Sequence, residues 1–133
     1  MNDLDYIAII PKYAFNEIEE LAGRESKLCR KYKLFLQNVG VSDPPEDYQN
    51  RLTALDFGLS KLSLKIFDPY DLVLSKLTRN SPKDREDVKA IATRVNLSFK
   101  ILIVRFELEM KPWLPNLDRH LTTLKLWQEY FSD

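Results

Sequence analysis

The sequence predicts an α+β fold: a helix-rich domain with a small mixed sheet. Two observations carry this. Apolar residues recur at helical spacing through most of the chain, including its whole second half. Strand-like runs, Asp3–Ile10 and Leu62–Phe67 with Arg51–Leu55 as a neighbour, interrupt that pattern near the start and the middle. At 133 residues the length suits one domain, 1–133, with a strand-and-helix part carrying the sheet over 1–67 and a helical part over 68–133.

Composition narrows the function classes. Lys+Arg and Asp+Glu number 20 each, so the formal net charge is zero, which argues against a broad nucleic-acid footprint. A lone Cys29 excludes an internal disulfide and suits a reducing cytoplasm, and a lone His120 leaves no His/Cys zinc site. Any metal would be a hard cation on carboxylates, such as magnesium. No apolar run reaches spanning length and no signal peptide opens the chain, so a cytoplasmic protein with no membrane partner is expected.

In chain order, Asp3-Leu4-Asp5-Tyr6-Ile7-Ala8-Ile9-Ile10 reads as a buried strand ending at Pro11. Residues two apart share a strand face, so Asp3 and Asp5 point the same way, and two parallel carboxylates can hold a divalent cation. Ala14–Ala22 reads as a helix with Phe15, Ile18, Leu21 and Ala22 inward, stopped by Gly23. A second helix is expected over Glu25–Asn38, with Leu28, Tyr32, Phe35 and Leu36 on its stripe, and Gly40 closing it. Arg24, Lys27, Arg30, Lys31 and Lys33 make this segment basic; a solvated face explains it, and RNA is the weaker alternative. Cys29 reads as a small buried hydrophobe.

Asp43-Pro44-Pro45-Glu46 is the clearest loop. After it come the two short strand candidates flanking Gly58, where alternation of Leu62, Leu64 and Ile66 predicts one buried face. Asp56 at the turn is expected to be solvent-exposed rather than a third metal carboxylate. Beyond residue 98, Phe99, Leu102, Ile103, Phe106 and Met110 mark one helix, and Leu117, Leu121, Leu124, Trp127 and Phe131 mark the last. Ile101, Val104, Leu108, Leu126 and Tyr130 lie off those stripes and predict a homodimer through the C-terminal helices. His120 reads as a packed surface residue, and Trp113 and Trp127 as core.

Between these regions the chain writes two helices and a tight joint. Asp68 before Pro69 caps the first, with Asp71 in its first turn; Ser81-Pro82 with Asp84 three residues on fits a capping box for the second. Tyr70, Val73, Leu74 and Leu77 form one stripe, with Lys76 at its edge and its ammonium aimed across the joint. Val88, Ile91 and Val95 form the other, with Asp84 on its backward extension and Asp87 on its flank. One lysine and two carboxylates therefore meet at one joint.

Asp68-Pro69-Tyr70-Asp71-Leu72, Ser75-Lys76-Leu77 and Asp84-Arg85-Glu86-Asp87-Val88 resemble the second half of small bacterial nucleotidyltransferase-like proteins, relatives of the abortive-infection toxins of type IV toxin–antitoxin systems. The likeness runs from about Tyr48 to Trp127, and Asp3-Leu4-Asp5 is similar to the family's Asp-Ile-Asp. It implies magnesium on Asp3 and Asp5, Lys76 on the triphosphate of a nucleoside triphosphate substrate, and Asp87 or Asp84 positioning or deprotonating the acceptor. A Gly-Ser or Gly-Gly loop precedes the paired aspartates in that superfamily, and only Met1 and Asn2 precede Asp3 here. A truncated or catalytically degenerate nucleotidyltransferase is therefore expected. The alternative is a non-catalytic interaction or dimerisation module with a protein partner, such as a toxin–antitoxin component. A salt-bridged joint with Asp84 as a helix cap is the purely structural account of the three charged residues.

Overall fold

The computed structural model describes residues 2–6, 13–38, 43–56, 58, 60 and 63–133. They fall in two compact units, Met1–Ser42 and Asp43–Asp133, with the boundary at the start of the proline loop.

The first unit runs β1 (Asn2–Tyr6), α1 (Tyr13–Ala22), α2 (Lys27–Tyr32) and β2 (Leu34–Asn38). β1 and β2 pair in parallel, Asn2 opposite Leu34 through Tyr6 opposite Asn38. Parallel neighbours cannot be joined by a tight turn, and the two helices supply the crossover. The strand expected from Asp3 is present to Tyr6; Ile7–Ile10 lie outside the described residues. α1 ends at Ala22, and the next position suits glycine because a Cβ there would collide with the Glu19 carbonyl oxygen.

The helix expected over Glu25–Asn38 is half as long. Ser26 caps α2, its hydroxyl accepting from the Cys29 N–H, and Lys33 stops it at φ 56° with its N–H donating to the Cys29 carbonyl. The chain then turns into β2. No glycine marks this stop, so the apolar spacing of Leu28, Tyr32 and Phe35 suggested a longer helix; Leu28 and Tyr32 are exposed, as is Leu21 on α1. Cys29 is buried, as expected of a small hydrophobe.

In the second unit a 3-10 turn (Tyr48–Arg51) leads into β3 (Thr53–Leu55) and β4 (Leu64–Ile66), then α3 (Pro69–Ser75), α4 (Pro82–Val95), α5 (Phe99–Glu109), α6 (Leu117–Trp127) and a closing 3-10 turn. β3 and β4 form an antiparallel ribbon, so the described strands make two two-stranded sheets, one parallel and one antiparallel, instead of one mixed sheet. A hairpin satisfies its own backbone locally, and this one does not acquire the buried face expected of it: Leu64 is half-buried and Ile66 is 49% exposed. Asp56 is exposed, and its carboxylate accepts from the Gly58 N–H in a turn where Gly58 has φ 69°.

The core is helical. Val73 and Leu74 of α3 with Leu77 just past its end, Val88 and Ala92 of α4, Leu102 and Phe106 of α5 with Met110 at its C-cap, and Leu124 and Trp127 of α6 form one buried cluster. Val95 is exposed, because the buried stripe of α4 runs through Val88 and Ala92; Trp113 is also largely exposed, its indole N–H donating to the Glu109 carbonyl. His120 is buried rather than at the surface, and Leu121 is the exposed neighbour. Asn80, Asn96 and Asn116 take positive φ at the ends of these helices, where their short polar side chains tolerate a conformation usually left to glycine. Asp133, at the far end of the chain, accepts from the Phe99 N–H and the Ser98 hydroxyl and so caps α5.

One polar cluster fixes α3 against its neighbours. Asp71 is fully buried. Arg51 donates to both of its oxygens, at 2.8 and 2.9 Å, and to both oxygens of Glu109, while Arg105 bridges Asp71, at 3.0 Å, and Asp68. A buried carboxylate needs such partners, and hydrogen bonds to Asp71 and Glu109 in turn hold the Arg51 guanidinium charged. Replacing Asp71 by Ala removes three hydrogen bonds from two part-buried arginines, which keep Glu109 and Asp68 as partners, and urea denaturation is expected to show a loss of about 1–3 kcal/mol.

Burial depresses the His120 pKa from 6.5, helped by the charge of Arg119, while the Pro115 carbonyl and Asp43 act the other way. The folded state thus binds fewer protons than the unfolded chain, so His120 contributes stability above the unfolded value that is lost as pH falls through 6.5 toward the folded pKa. Urea midpoints measured at pH 7.5 and 5.5 should fall on acidification, and the His120→Gln variant should fall less.

Candidate functional site

The joint between α3 and α4 assembles by local rules. The Asp68 carboxylate accepts from the Tyr70 N–H with Pro69 at the first helical position, and α3 ends at Lys76. Asn80 then reverses the chain at φ 45°, and Ser81 opens α4 with a complete capping box: its hydroxyl oxygen accepts from the Asp84 N–H while the Asp84 carboxylate accepts from the Ser81 N–H.

This turn brings Lys76, Asp84 and Asp87 together. The Lys76 ammonium lies 2.9 Å from an Asp87 oxygen and 3.6 Å from an Asp84 oxygen, with its side chain 12% exposed. The stem is packed and the charge crosses the joint, as the edge position of Lys76 implied. Arg79 completes the group, gripping Asp84 through Nε at 2.7 Å and Nη2 at 2.6 Å.

The two carboxylates differ in what they have left to offer. Asp84 is fully buried, and burial by itself would raise its pKa. The Arg79 guanidinium, the Ser81 N–H and the Ser81 hydroxyl outweigh this and hold the carboxyl well below the usual range. With both oxygens committed to donors, Asp84 is a structural anion and cannot take up a proton near neutral pH. Asp87, 38% exposed, accepts from Lys76 through one oxygen. The chemistry open to the joint is therefore a half-buried ammonium able to meet an anion, beside a carboxylate able to accept a hydrogen bond or a proton.

Arg79 was not singled out from the sequence, although a cation five residues ahead of a capping aspartate is the signal for it. Arg51, Arg105 and Glu109 were missed as well, and nothing local could have paired them with Asp71. Asp3 and Asp5 lie on β1, opposite Phe35 and Gln37, and their side chains fall outside the described part of the structure. Among the described residues no group of three His, Cys, Asp or Glu side chains is placed to hold a metal ion.

The difference between the two carboxylates is measurable. Asp84→Asn breaks the capping box and the Arg79 fork and should cost roughly 1–3 kcal/mol of stability. Asp87→Asn removes one half-exposed ion pair and should cost under about 1 kcal/mol in the same urea titration.

No helix of the described residues is long and apolar enough to cross a membrane. Comparison with curated proteins and with solved structures gave no match. A family model described as nucleotidyltransferase of unknown function (DUF6036) matches residues 3–132, close to the whole chain and including both Asp3-Leu4-Asp5 and the joint. The chain belongs to this nucleotidyltransferase-like family.

Proposed function

We propose that this protein transfers a nucleotide from a nucleoside triphosphate to an acceptor in a magnesium-dependent reaction. The observation that carries the reading is the Lys76–Asp87 pair: a lysine whose side chain is only 12% exposed, held at 2.9 Å by a carboxylate that capping does not require. A cation so placed is pre-oriented and incompletely hydrated, which suits it to a phosphate oxygen. Lys76 contacts the triphosphate, and Asp87, partly exposed beside it, positions or deprotonates the acceptor hydroxyl. Asp84 is assigned to support: it locks the start of α4 and so the position of Asp87.

Asp3 and Asp5, two residues apart on β1, supply the oxygen donors that a hard divalent cation prefers, and magnesium bound there would neutralise phosphate charge. The likeness of the joint to the abortive-infection toxins supports a role in a toxin–antitoxin pair.

Calorimetric titration of magnesium with ATP, GTP, CTP and UTP into the folded chain tests the reading. Binding of at least one triphosphate, dependent on magnesium and weakened tenfold or more by Lys76→Ala and by Asp3→Ala/Asp5→Ala, is expected; tenfold corresponds to about 1.4 kcal/mol. A folded wild-type chain that binds none of the four removes the enzymatic reading. Expression that arrests bacterial growth, relieved by Lys76→Ala, is the matching outcome for the toxin role, and unimpaired growth with the wild-type chain counts against it.

A further inference from the structure

α5 carries two apolar faces, and the fold uses one. Leu102, Phe106 and Met110, with Phe99 and Ile103 beside them, face the core. On the opposite side Ile101, Val104 and Leu108 are 49%, 56% and 70% exposed. They stand at i, i+3 and i+7, the spacing of a helix–helix seam. α6 shows nothing comparable: its exposed Leu121 and Leu126 are five residues apart and point in different directions, and Tyr130 packs against the core.

The charges of α5 say what the seam meets. Arg105 and Glu109, on one flank, are drawn into the Asp71 cluster. The other flank carries Lys100 and Glu107, one heptad apart and both exposed, with Glu107 only 3.8 Å from Lys111 in an exposed pair. We propose that α5 pairs with α5 of a second copy, antiparallel about a two-fold axis, through Ile101, Val104 and Leu108. In an antiparallel pair the same flank meets itself, so Lys100 faces Glu107 of the second copy and the reverse. A parallel pair would instead set Lys100 against the flank that holds Arg105. The helix is thus complementary to its own inverted image in both apolar pattern and charge.

One helix face of two turns is less than the roughly 800 Å² per partner of a standard stable interface, so the dimer is reversible and concentration-dependent. Sedimentation velocity of the full chain between about 5 and about 500 µM should show the weight-average coefficient rising from a monomer toward a dimer value. Val104→Glu, at an exposed position and with an unchanged circular dichroism spectrum, should hold the monomer throughout. Lys100→Glu should weaken association at least threefold, and adding Glu107→Lys should restore it, because the double exchange rebuilds the crossed pairs. A coefficient that stays monomeric over the whole range, or a dimer that Val104→Glu leaves intact, overturns the proposal. A dimer lost in Val104→Glu but indifferent to the charge exchange overturns the antiparallel arrangement.

Discussion

Asp71 sets a carboxyl group with no exposed surface among the helices of the second unit, and the elements around it are arranged to give its oxygens donors. Two guanidiniums reach it from elements distant in sequence: Arg51 from the 3-10 turn before the ribbon, and Arg105 from the middle of α5. Glu109 balances Arg51, Asp68 balances Arg105, and the Tyr70 ring lies 5.2 Å beneath the Arg105 guanidinium. Because none of these charges is satisfied alone, the 3-10 turn, α3 and α5 assemble together or not at all. The helix that begins at Asp68 and ends at Lys76 is consequently held at its start by charge and along its length by Val73 and Leu74 in the core.

That constraint bears on the joint. Lys76 emerges from the fixed end of α3, and the capping box fixes the start of α4, so the ammonium and the Asp87 carboxylate meet between two rigid helix ends. Charge is distributed unequally across the joint. Asp84 is consumed by Arg79 and Ser81 and does the work of structure; Asp87 meets Lys76 and remains 38% exposed. A similar division operates on α5, where the charges of one flank are spent inside the cluster and those of the other flank remain outside beside an uncovered apolar stripe.

The chain belongs to a nucleotidyltransferase-like family over residues 3–132. The family match spans both units, and within the second unit the motif residues converge on one turn. The pairing of Lys76 with Asp87, at 2.9 Å against 3.6 Å to Asp84, is what the structure adds to the capping role that the sequence already gave Asp84.

The features written in the sequence alone were the local ones. Asp68-Pro69 and Ser81-Pro82 with Asp84 specify helix starts through bonds spanning two or three residues, and the apolar spacing of α3, α5 and α6 follows from helical geometry, so these elements were legible without a fold. The edge position of Lys76 even implied its reach toward the carboxylates. Features decided by distant contacts were not legible. Lys33 stops α2 in a conformation that nothing in its neighbours demands, which turned an expected helix into a strand. Val95 and Trp113 were left outside because the helices around them buried other side chains first. Asp71 read as a helix-dipole residue and proved to be the buried centre of a network, since its partners lie 20 and 34 positions away. A capping bond needs only its own turn to form, whereas a buried ion cluster exists only after three separate segments have been brought to one place, and that placement belongs to tertiary structure.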